Sequence, residues 1–85
     1  MYSLRRVSDD AGDSGPSSSL ARLDAKTGDI QWAKRCRRPK LGWAMRVGSF
    51  RSWWTTTPVT EITFSSRNEV HFKTKNSAYV WKVLN

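Results

Sequence analysis

Val59-Thr60-Glu61-Ile62-Thr63-Phe64, Glu69-Val70-His71-Phe72-Lys73-Thr74 and Ala78-Tyr79-Val80-Trp81-Lys82-Val83-Leu84 follow one another with only Ser65-Ser66-Arg67-Asn68 and Lys75-Asn76-Ser77 between them. The runs are rich in β-branched and aromatic residues and the gaps are rich in turn formers, which is the pattern of strands joined by short turns. Alternation assigns the faces. Ile62 and Phe64 oppose Glu61 and Thr63, Val70 and Phe72 oppose Glu69, His71 and Lys73, and Tyr79, Trp81 and Val83 share a face. Residues two apart on a strand point the same way, so these seven apolar groups form half a core, at roughly 1.5–3 kcal/mol each when fully buried. The expectation is an antiparallel meander with Ile62, Phe64, Phe72 and Trp81 inside.

Upstream, Trp43 to Phe50 has the same character, with Met45 and Val47 on one face and Ala44, Arg46 and Gly48 on the other. A Gly inside a strand marks a bulge or a close backbone approach, and Gly48 is so placed. Leu20 to Lys34 reads as strand, turn and strand, with Gly28 supplying a positive φ late in the turn and Ile30 and Trp32 sharing a face. The phrase Leu23-Asp24-Ala25-Lys26-Thr27-Gly28-Asp29-Ile30-Gln31-Trp32 resembles one repeat of the quinoprotein-type β-propeller. A propeller needs several such blades, so the single copy implies a hairpin and no quinone cofactor.

Six such strands without a helical period predict an all-β domain, a small antiparallel β-barrel or bent sheet of the SH3-like or OB-like kind. Eighty-five residues hold one domain with a small core. Met1 to Val7 has a short apolar and basic pattern, open to reading as a short edge strand or as no element, and Ser8 to Ser19 is a run of Ser, Asp, Gly and Pro with Ala11 its one apolar residue. That composition does not repay the entropy of ordering, so residues 1–19 are expected to be a flexible, dispensable segment before a β-domain of residues 20–85.

Between Ile30 and Thr60 lie seven of the fifteen Lys and Arg residues, four of the five tryptophans and no Asp or Glu. Residues 1–29 by contrast carry five Asp against four cations, so the net charge of +8 is regional. Cations hold phosphate and flat rings stack on bases, which makes nucleic-acid binding, to DNA or RNA, the leading expectation. In it Arg35, Arg37, Arg38, Lys40, Arg46 and Arg51 contact phosphate while Trp43 or Trp53 stacks on a base. The alternative is a protein-interaction module, an adaptor or inhibitor, that offers the same surface to an acidic protein partner. Trp53 and Trp54 are adjacent on a strand and must point to opposite faces, so one of them is expected to be partly exposed.

Catalysis is not expected. Gly12-Asp13-Ser14-Gly15-Pro16 resembles the nucleophile signature of trypsin-like serine proteases, yet that family's His and Asp sit on a scaffold more than twice this length. The single histidine, His71, falls on a predicted polar strand face, where it is expected to be solvated. One Cys and one His do not make a closed zinc site, and Cys36 has no second cysteine for an internal disulfide. No metal or cofactor is expected. Without a signal-like start or an apolar run of about 20 residues, membrane insertion is not expected and the location is read as cytoplasmic.

Overall fold

Every strand joins one antiparallel sheet, which the computed structural model describes over residues 1–84. The strands are β1 (Tyr2–Arg6), β2 (Gly12–Gly15), β3 (Ser17–Leu23), β4 (Ile30–Trp32), β5 (Ala44–Gly48), β6 (Trp53–Ser65), β7 (Glu69–Thr74) and β8 (Ala78–Val83). Their order across the sheet is β2-β1-β8-β7-β6-β5-β3-β4. The all-β class and the C-terminal meander are therefore present. The sheet is open rather than closed, and bent: β6 runs for 13 residues, pairing with β5 through its first half and with β7 through its second. The bend brings β2, at one end of the sheet, against β5 and β6.

Residues 1–19 are not a loose lead. β1 lies between β2 and β8, and Leu4, opposite Trp81, is fully buried. The composition of Ser8 to Ser19 misled because its polar groups find partners inside the fold. Ser52 donates to Asp13 at 2.5 Å, Arg5 donates to Ser14, and the Trp81 indole N–H donates to Ser18 at 3.0 Å. Glycine supplies the rest. A Cβ at Gly15 would collide with the Gly48 carbonyl, so two backbones meet where no other residue fits.

The core comprises Leu4, Leu20, Trp43, Met45, Val47, Val59, Val70, Phe72, Tyr79 and Trp81. Phe72 stacks on Tyr79 at 5.4 Å and Tyr2 on Trp81 at 5.8 Å, so the meander's expected inner face is largely correct. The exceptions are Ile62 and Phe64. A register shift between them sets Ile62 opposite Phe72 but Phe64 opposite His71, its neighbour on the other face, and both apolar residues are exposed. Pro58 sits inside β6 opposite Ala44 at a second irregularity. There the Met45 N–H bonds the buried Thr56 hydroxyl, at 3.0 Å, in place of a backbone carbonyl.

Candidate interaction face

Alternation gives β3 and β5 two faces of different character. Ser18, Leu20, Met45 and Val47 are buried, whereas Ser19, Ala21, Ala44 and Arg46 turn the other way and are only partly covered. On that outer side Arg46 is opposite Ser19 on β3 and Thr55 on β6, Trp53 is opposite Gly48, and Trp32 is opposite Ala21. The small neighbours leave room for large groups to lie across the sheet. The Arg46 guanidinium carbon is 3.9 Å from the Trp53 ring centre and 5.9 Å from that of Trp32, so a cation sits between two indoles. Each tryptophan remains 48% exposed.

Next to this row lies a shallow apolar groove lined by Ala21, Leu23, Ile30, Ala44 and Pro58, with the Arg22 stem at its side. Leu23 and Ile30 face each other across β3 and β4 and are 70% and 60% exposed. The acids whose titration is shifted lie elsewhere. Asp9 is held at about 2 mainly by its hydrogen bond from Arg6. The Ser52 hydroxyl and then the Ser14 N–H hold Asp13 below the usual carboxylate range, and His71 followed by Lys82 does the same for Glu69.

The predicted binding residues divide into three groups. Arg46 and Trp53 are brought together on the outer face, and Arg51 lies beside Phe50 in the β5–β6 turn, where Phe50 is 87% exposed. Arg37 and Arg38 belong to the loop over the opposite side. The Arg37 carbonyl accepts from inward-facing Ser18, and Arg38 donates to Ser65 Oγ, the Ser66 carbonyl and the Arg67 carbonyl at 2.9, 2.6 and 2.8 Å. Arg35 and Lys40 are exposed on the same loop, Arg35 with a φ of 59°. Trp43 is a correction. It is 9% exposed in the core with the Arg22 guanidinium 4.4 Å from its ring, so it has no free face for a base.

Trp32, Leu23, Ile30 and Pro58 were not singled out as site residues from the sequence. The hairpin pattern held a signal: the Gly28 turn, at φ 76°, sets Leu23 against Ile30 and Ala21 against Trp32, and among the described residues no later strand continues the sheet beyond them.

The groups considered for catalysis are dispersed. Cys36 points to the Arg38 carbonyl, and Ser14 is held by Arg5. His71 is half-buried rather than freely solvated, because it bonds Glu69 at 2.5 Å and tilts against Phe64. Among the described residues no three His, Cys, Asp or Glu side chains cluster as a metal site, and no helix is long and apolar enough to cross a membrane. Comparison with known proteins finds no matching family model, no matching curated protein and no matching solved structure.

Proposed function

We propose that the protein is a non-catalytic binding module whose outer face on β4, β3, β5 and β6 takes an acidic protein partner. The observation that carries this is the Trp32-Arg46-Trp53 row beside the apolar groove. Tryptophan and arginine dominate the energetics of protein interfaces, and contiguous exposed apolar surface marks interaction sites. Charge selects the sign of the partner, since the whole tract from Ile30 to Thr60 has no Asp or Glu and the chain carries +8. We read the bent sheet as SH3-like or OB-like, architectures whose open surfaces take extended ligands, and place it in a reducing cytoplasm where Cys36 stays a thiol.

Single-stranded DNA or RNA is the second reading, favoured by two half-exposed indoles on an open sheet. It ranks lower because a phosphate track needs several free cations beside the rings. Arg46 is engaged by both indoles, and Arg38 by three oxygen acceptors at another place.

Tryptophan fluorescence titrations test the choice, using a peptide that alternates Glu with Phe and Leu against oligothymidylate at two salt concentrations. The peptide should bind, and Trp32→Ala or Trp53→Ala should each weaken it by roughly 30-fold, the effect of an interface hot spot. Tight oligonucleotide binding with a steep salt dependence and no peptide binding would transfer the assignment to nucleic acid.

A further inference from the structure

The sheet ends at β4, and ladder geometry shows which of its backbone groups are free. The Asp24 N–H bonds the Asp29 carbonyl, the Ala33 N–H bonds the Leu20 carbonyl, and Arg22 is opposite Gln31 between them. Bonding residues alternate in an antiparallel pair, so positions 29, 31 and 33 face β3 while Ile30 and Trp32 direct their N–H and C=O groups away from the sheet. A bare edge of this kind is a template for another strand. It is also polarised, with Asp24 and Asp29 leading into it and Lys34 and Arg35 following it.

We propose that two copies of the chain pair antiparallel through β4 about a two-fold axis at Gln31, joining their sheets into one. In this register Ile30 of each copy is opposite Trp32 of the other, and their outward N–H and C=O groups satisfy one another. Charge selects the direction. Antiparallel pairing sets Asp29 opposite Ala33 and beside Lys34 of the second copy, whereas parallel pairing sets acid beside acid. A slip of one residue would turn Ile30 and Trp32 to different faces across the junction. The net charge of +8 opposes association, but its field is screened over about 8 Å at physiological salt, so the local acid–base match governs the edge. Both Trp32-Arg46-Trp53 rows then lie on one continuous face. The pairing uses the strand edge and does not depend on what the face binds.

Light scattering and sedimentation velocity of the full chain over a concentration series test the pairing. The mass should rise from 9.8 kDa toward twice that value. Ile30→Pro removes an outward N–H without touching the β3 ladder, as edge strands allow, so the variant should keep the wild-type melting profile and remain monomeric. Asp29→Lys and Lys34→Asp supply a route independent of proline. Each alone should weaken self-association by about tenfold, and an equimolar mixture should restore it, because each reversed charge then meets its opposite. A wild type that stays monomeric throughout overturns the proposal, as does association unchanged in Ile30→Pro or in both charge variants. Should Ile30→Pro unfold, the mixture decides, and failure to restore association counts against the pairing.

Discussion

Trp81 and Trp53 each have an arginine over the ring, at 5.6 Å for Arg38 and 3.9 Å for Arg46, and the two pairs are used in opposite ways. Trp81 is 1% exposed, its N–H bonds Ser18, and its arginine is fixed by oxygens of the β6–β7 turn. Trp53 is 48% exposed, and its arginine is held by aromatic rings alone among the contacts of the described residues. One pair fastens a loop and a hairpin to the core. The other is left open to solvent, where burial by a partner would strengthen the cation–ring attraction as water leaves. Residue type is therefore a poor guide to role in this basic stretch, and the acceptors around each guanidinium are a better one.

The largest effects should come from breaking the closed pair's surroundings. Trp81→Ala removes the centre of the core and should cost about 3–5 kcal/mol, while Trp53→Ala should change stability by about 1 kcal/mol or less. A chain beginning at Leu20 lacks β1 and the buried Leu4 opposite Trp81, so it should not fold. Thermal and urea unfolding of the three proteins measure the contrast. A Leu20 start that melts like the full chain would return residues 1–19 to the dispensable segment their composition suggests.

The arginines sharpen the comparison at a smaller scale. Arg38→Ala removes three charge-assisted hydrogen bonds that are partly open to water, and a loss on the order of 1–2 kcal/mol is expected. Arg46→Ala should cost less than about 1 kcal/mol, the range of an exposed cation–ring contact, yet should weaken binding of the acidic peptide more than Arg38→Ala does. Equal losses of stability in the two variants would erase the distinction between a fastening pair and an open one.

What the sequence made legible follows from how local the signals are. Period-two alternation placed Val70, Phe72, Tyr79 and Trp81 inside and put Met45 and Val47, both buried, on one face, and the pattern around Gly28 placed the β3–β4 hairpin. Bulges defeat alternation, which is why Phe64 was expected in the core and lies opposite His71 on the outer face. The N-terminal strands were missed because their order depends on residues 39 and 63 positions away, Ser52 for Asp13 and Trp81 for Ser18. The same long-range pairing hid the candidate face. Trp43 and Trp53 are equivalent in composition, and their fates depend on which strands pass above and below each ring.

The smallest effect separates ties that titrate from ties that do not. Arg38 is held by carbonyl and hydroxyl oxygens, so its bonds keep their strength through the acid range. The Arg6–Asp9, Ser52–Asp13 and His71–Glu69 contacts each depend on a carboxylate whose folded pKa lies below its ordinary value. A depressed carboxylate pKa stabilises the fold fully above the unfolded value, and that contribution is lost as pH falls through the folded one. For Asp9 the window runs from 3.8 down to about 2. Acidification should therefore release β2 from the β5–β6 turn, through loss of the charged Asp13 acceptor, before it disturbs the Arg38 fastening. Hydrogen exchange between pH 2 and 5, corrected for intrinsic rates, should show falling protection around Ser14 and Ser52 with steady protection at Trp81. Asp13→Asn should flatten the Ser14 response without altering that at Trp81. A simultaneous loss at both places would mean that β2 and the core around Trp81 open as one unit.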